Sequence, residues 1–157
     1  MFLIESFFKV YMADTFGHAL IVWNDNKLKR LENPFFKPVE NTSEVQVGSV
    51  SVSWPDDGIL GMAITPKKSS DEPRYLYFRS LSSYSIYYVS TDDLKKSKNG
   101  ENLKVFGEKD ILSSHAIGIK FSSDDVLFFS PIKENAVACW NRHKKLTREN
   151  IVSLIFD

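Results

Sequence analysis

Three stretches of this chain share one plan. VYMADTFGHALIVWN from Val10, LYFRSLSSYSIYYVS from Leu76 and VLFFSPIKENAVACWN from Val126 each run as an apolar strand, a short polar turn and a second apolar strand. Short runs rich in aromatic and β-branched side chains, bounded by turn formers, fit a pleated surface. Their recurrence along the chain points to stacked units, none of which can bury its apolar face alone. An inner strand precedes the second copy at Gly58 to Thr65 and the third at His115 to Phe121, while the first copy shows none. A fourth, outer strand follows each copy, at Lys27 to Glu32, Leu103 to Gly107 and Ile151 to Phe156. Repeated units of four antiparallel strands predict an all-β fold of the propeller type. The expected layout is one partial propeller domain over 1–157, with a blade part at 8–33, a blade at 57–107 and a blade at 114–157.

The middle unit is the most legible. Gly58 to Thr65 is a short apolar run holding two glycines, which suits a buried inner strand that a neighbouring backbone approaches closely. Pro66 ends it, and the polar segment Lys67 to Pro73 turns the chain because it offers little to bury. In the third strand, the period of two puts Ile86 and Tyr88 on one face and Tyr87 and Val89 on the other. Turn formers fall between the apolar runs at Asn24 to Asn26, Pro55 to Gly58, Asn99-Gly100 and Ser122 to Asp125, where Asn, Asp and Gly tolerate left-handed backbone. Two connections are long, Asn33 to Val45 and Thr91 to Asn102. The second is Lys-, Ser- and Asn-rich, which predicts a mobile surface loop with a short helical turn at Thr91 to Lys95.

Composition narrows the partners. Twenty cationic side chains balance twenty anionic ones for a formal net charge of zero, so no global field recruits a nucleic acid or an anionic membrane. The most basic run, Arg142 to Arg148, reads as a solvated loop. Cys139, the single cysteine, can form no internal disulfide, matches no metal spacing and reads as a buried small hydrophobe. The N-terminal MFLIESFF carries Glu5, lacks a basic start and a small-residue cleavage site, and is too short to span a bilayer. Asn41-Thr42-Ser43 is a glycosylation sequon, useful only on an exported chain. His18, His115 and His143 are far apart and do not suggest a metal centre. The carboxylate pairs Asp56-Asp57 and Asp124-Asp125 stand at turn positions, where Asp is expected for backbone reasons. Neither a nucleophile elbow nor a phosphate-cradling glycine loop occurs, and no cofactor is called for.

Four blocks carry a family resemblance. YMADTFGHALIVW from Tyr11, WPDDGILGMAITP from Trp54, LYFRSLSSYSIYYVST from Leu76, and VLFFSPIKENAVACWN from Val126 followed by TRENIV resemble, in order, consecutive blocks of the Yellow and major royal jelly protein family of insects. The resemblance implies a secreted, extracellular six-bladed propeller of about twice this length or more, of which this chain would be the central two and a half blades. It also implies a cleavable signal peptide and paired cysteines, from both of which the chain departs. Three family roles follow as expectations: binding of biogenic amines, a dopachrome-converting activity linked to cuticle melanisation, and a nutritive bulk protein without a ligand.

Binding is the better-motivated class. In a propeller the connections between blades and the turns between second and third strands open on one end of the sheets, and ligand sites are concave with a few converging polar groups. On that end the chain should present Phe16, His18, Asp57, Tyr84, His115 and Asn135. An aromatic wall with a carboxylate suits a small protonated aromatic amine, through cation–π attraction and a charge-assisted hydrogen bond.

Overall fold

The computed structural model describes residues 2–6, 9–54 and 57–155, with only the backbone of 2–6. Its elements are β1 (Phe2–Ser6), β2 (Lys9–Asp14), β3 (Ala19–Asn24), β4 (Lys27–Glu32), β5 (Glu44–Val47), β6 (Val50–Ser53), β7 (Ile59–Ile64), β8 (Tyr75–Ser80), β9 (Ile86–Ser90), a short helix α1 (Thr91–Lys96), β10 (Val105–Glu108), β11 (Ala116–Phe121), β12 (Val126–Pro131), β13 (Ala136–Asn141) and β14 (Ile151–Ile155). Three antiparallel four-stranded sheets form in the orders β1-β2-β3-β4, β7-β8-β9-β10 and β11-β12-β13-β14, joined by a two-stranded β5-β6 hairpin. The fold is therefore all-β, a partial propeller of stacked four-stranded blades. β7 is the strand of the middle sheet that lies against both β1 and β11, so the first strands of the three sheets gather on one side.

The first sheet corrects an expectation. An inner strand is present ahead of the first copy, because Phe2–Ser6 pairs antiparallel with β2 in the register Leu3 to Tyr11 and Ile4 to Val10. The terminal apolar run supplies pleated backbone there, and the first sheet has the same four strands as the others.

The middle sheet is buried on both faces, and the period of two divides its side chains between two cores. Leu76, Phe78 and Val89 pack with Tyr11, Leu20, Val22 and Leu31 of the first sheet. Tyr77 and Ile86, with Tyr88 packed alongside, join Ile119, Leu127, Phe129, Ala138 and Trp140 of the third sheet. Ile86 and Tyr88 thus share one core while Val89 and Tyr87 share the other, as the alternation requires. Gly61 shows why the inner strand needs glycine: a Cβ there would lie 2.8 Å from Ile119 Cγ2.

Turn chemistry follows the residues. Asp25 and Asn26 both take positive φ, 48° and 60°, which makes the β3–β4 connection a tight hairpin whose twist matches its strands. His18, Asn135 and Asp125 are likewise left-handed.

Two other expectations change. The segment after β9 is docked rather than loose: Leu94 is fully buried, the Glu32 N–H donates to the Asn99 carbonyl at 2.7 Å, and Asn33 Nδ2 donates to the Gly100 carbonyl at 2.9 Å. Cys139 is a free thiol of intermediate exposure, not a mostly buried one. It alternates with buried Trp140 and pairs across with Phe128 and Val152, which puts it on the open face of the third sheet.

Candidate functional site at the connection end of the sheets

The site is built on a backbone knot. Thr15, in the β2–β3 turn, accepts the Gly58 N–H at 3.0 Å through its carbonyl, while its Oγ1 donates to the Ile59 carbonyl at 2.8 Å. From the other side, the Leu81 and Ser82 N–H groups donate to the carbonyls of Gly58 at 3.1 Å and Asp57 at 3.4 Å. The pair Asp57-Gly58 is thereby clamped between the first sheet's turn and the corner after β8. Only glycine fits beneath it, since a Cβ on Gly58 would lie 2.7 Å from the Phe36 carbonyl oxygen and 2.8 Å from that of Thr15. The clamp leaves the Asp57 side chain half-exposed.

The connection between β4 and β7 covers this end of the middle sheet. Val39 N–H donates to the Ser82 carbonyl at 2.8 Å, Ser82 Oγ donates to the Trp54 carbonyl at 2.7 Å, and Ser80 Oγ donates to the Lys37 carbonyl at 3.1 Å. Thr42 offers its carbonyl to His115 Nε2. His115 is only 2% exposed. Burial is the main cause that holds the His115 imidazole below its ordinary pKa; the Thr42 carbonyl opposes that and the nearby Arg79 guanidinium adds to it. The ring is therefore a neutral donor to Thr42 near neutral pH.

The six expected residues fall into two groups and two outliers. Tyr84 and His115 meet edge to face, with ring centroids 4.8 Å apart. His18 lies over Gly58, its Cδ2 3.0 Å from where a Cβ would stand, and so neighbours Asp57. Phe16 projects from the β2–β3 turn with 83% of its surface exposed. Asn135 is exposed at the β12–β13 turn, with its N–H donating to the Ile132 carbonyl at 3.3 Å. The sequon residue Asn41 is exposed and left-handed, whereas Thr42 is buried and its Oγ1 donates to the Val39 carbonyl at 2.7 Å.

Two ionisable groups at this end were not anticipated. Arg79 is 2% exposed, burial lowers its guanidinium pKa to about 9, and its Nη2 donates to the Ser83 carbonyl at 3.1 Å while its Nε finds no partner. Glu134 accepts from the Ser114 hydroxyl, beside His115. Burial works to raise the Glu134 pKa, but hydrogen bonds from Ser113 and Ser114 outweigh it and hold the carboxyl below its usual range. The signal for Arg79 was its place in the alternation, two residues beyond Tyr77 on a strand face otherwise apolar. Among the described residues no three His, Cys, Asp or Glu side chains come together as a metal-binding group, and no helix is long and apolar enough to cross a membrane.

The family model for major royal jelly protein matches residues 6–157. This chain belongs to the major royal jelly protein family. Among its curated relatives from Apis mellifera, it is 38% identical to major royal jelly protein 5 over 146 residues, which is 90% of this chain and 23% of that protein. It is 35% identical to major royal jelly protein 6 over 145 residues, 90% of this chain and 32% of that protein, and similarly 35% identical to major royal jelly protein 2, covering 31% of it. The chain thus spans about a quarter to a third of the length of these relatives. Among solved structures it is similar to virginiamycin B lyase from Staphylococcus aureus at a TM-score of 0.44 and 13% identity, covering 99% of this chain and 55% of that one.

Proposed function

We propose that this member of the major royal jelly protein family is secreted and binds a small protonated aromatic amine at the connection end of its sheets, in the melanin-related branch of the family's roles. The observation that supports it is the Asp57 carboxylate, left half-exposed on a segment clamped between two sheets. A carboxylate on fixed backbone can accept a charge-assisted hydrogen bond from an ammonium at the cost of ordering only its own short side chain. Phe16, exposed on the β2–β3 turn that supplies one half of the clamp, offers a ring face to an aromatic ligand, and Tyr84 stands further along the corner after β8. His115, packed edge to face on Tyr84, is buried and neutral near neutral pH, so it adds no charge of its own at this end.

Titration calorimetry with serotonin and dopamine tests the reading. Asp57→Asn keeps the backbone clamp but removes the charge, and should weaken binding at least tenfold, while Phe16→Ala should weaken it several-fold. Binding that is indifferent to Asp57→Asn would exclude this site, and turnover of dopachrome without amine binding would replace the binding role with an enzymatic one.

A further inference from the structure

A second place on the molecule has the makings of a site, on the outer rim and away from the Asp57 clamp. Three cross-strand neighbours on one face of the middle sheet form an aromatic ladder: Tyr77 stacks on Tyr88 with centroids 4.8 Å apart and planes 18° apart, and Tyr88 stacks on Phe106 at 5.6 Å and 25°. Trp140 of the third sheet closes on Tyr77 at 6.1 Å. Between the outer strand β10 and the loop after β13 these rings line a groove of about 400 Å³, within the size range of small-ligand sites, roughly 300–1,000 Å³. Phe106 is 50% exposed, so an unusually large ring face is open on a β-strand. Gly107 keeps β10 flush beneath it, because a Cβ at its φ of +144° would lie 2.2 Å from the Ile86 carbonyl oxygen.

The charge around the groove is one-sided. The loop wall carries Arg142, Lys144 and Lys145. Arg142 is already committed to Asp125 at 2.9 Å and Glu72 at 3.2 Å, but neither Lys144 nor Lys145 is in an ion pair among the described residues. The loop is held in place by Trp140 Nε1, which donates to the Lys145 carbonyl at 3.3 Å, so the ring that floors the groove also fixes the backbone that carries the lysines at its mouth. Glu108 stands on the opposite, β10 wall, which orients a ligand's negative end toward the lysines.

We infer that the groove between the outer strand of the middle sheet and the loop after β13 binds a planar aromatic carboxylate, its ring stacked on the open face of Phe106 and its carboxylate on Lys144 and Lys145. Stacking on an exposed ring and a charge-assisted contact with unpaired ammonium groups are both available without moving the sheets. The ligand class is opposite in charge to the amine proposed for the Asp57 clamp, so the two sites are separable.

Calorimetry on the full 157-residue chain with indole-3-acetate, tryptamine and cyclohexylacetate tests the inference. Indole-3-acetate should bind with a Kd at least tenfold below those of the other two, and more weakly as salt rises. Phe106→Ala and the double change Lys144→Glu with Lys145→Glu, all at exposed positions, should each raise that Kd at least tenfold, with near-UV circular dichroism checking that the fold is kept. Asp57→Asn should leave it unchanged. Tryptamine binding as tightly, no binding at millimolar ligand, insensitivity to Phe106→Ala, or loss of binding in Asp57→Asn would each overturn the assignment.

Discussion

His115 shows how a residue expected to meet a ligand can be recruited by the fold instead. Its Nε2 contacts the Thr42 carbonyl, its ring packs against Tyr84, and the charged group facing it is Arg79. Burial sets its pKa below 6.5, so on unfolding the ring gains affinity for a proton. A depressed folded pKa contributes stability that is complete above the unfolded value and is lost as pH falls from about 6.5 toward the folded value. Urea unfolding of the native chain should therefore show a falling midpoint between pH 7 and pH 5. In His115→Gln, whose amide can still donate to Thr42 but cannot titrate, that fall should be clearly smaller; an equal slope in both would show that other groups set it. Sequence alone placed Tyr84 and His115 at one end of the sheets but could not show that they touch, because that contact depends on how two blades pack. Nor could it reveal that Thr42, residing in a long connection, would reach His115 across more than seventy positions of sequence.

At the scale of elements, the segment after β9 illustrates the difference between polar and loose. In TDDLKKSKNGEN one apolar residue, Leu94, stands among charged and amide side chains, and composition of that kind reads as solvated loop. The structure uses the one hydrophobe as an anchor and the polar groups as ties. Ser90 caps α1 by accepting the Asp92 N–H at 3.2 Å, and Lys29 Nζ reaches the carbonyls of Lys95 at 2.6 Å and Ser97 at 3.1 Å. Gly100, with φ of +97°, lies so close to Glu32 that a Cβ would sit 2.4 Å from its carbonyl oxygen. The segment thus staples the outer strand of the first sheet to the middle one. Leu94→Ala should cost about 2–5 kcal/mol, the usual range for emptying a buried leucine site, and should raise amide exchange through 91–104 more than elsewhere. Exchange that is fast there in the native chain would restore the mobile-loop reading. The β5–β6 hairpin carries only a faint sequence signal: VQV and VSV alternate on either side of Gly48, whose φ is +59°, but most of its side chains are exposed, so no buried run marks it.

For the whole molecule, the decisive feature is that one sheet serves two cores. Strand content and the two-faced middle blade were readable because, apart from Arg79 and the serines at the strand ends, β8 and β9 carry aromatic and aliphatic side chains on both faces, a pattern that suits a doubly covered sheet. The ties between sheets were not readable, since they join groups distant in the chain. Asp125 is one of them: its fully buried carboxylate takes Lys68 of the β7–β8 loop and Arg142 at 2.9 Å, and Arg142 in turn holds Glu72 at 3.2 Å. Burial alone would raise the Asp125 pKa, but the hydrogen bonds from Lys68 and Arg142 outweigh it and hold the carboxyl below its usual value. Stacked units whose interfaces are small can unfold one at a time, whereas strong nearest-neighbour coupling makes them melt together. Here Phe78, fully buried on the first-sheet side, and Ile86, fully buried on the third-sheet side, belong to adjacent strands of the same sheet, so neither core can empty without disturbing the other. Unfolding should accordingly be a single transition reported identically by tryptophan fluorescence and far-UV circular dichroism. Phe78→Ala in one core and Leu127→Ala in the other should each lower that one midpoint, through stability losses of about 3–5 and 2–5 kcal/mol respectively. If either substitution instead split the curve in two, with Trp140 responding separately from Trp23, the sheets would be acting as independent units and the shared-sheet account of stability would fail.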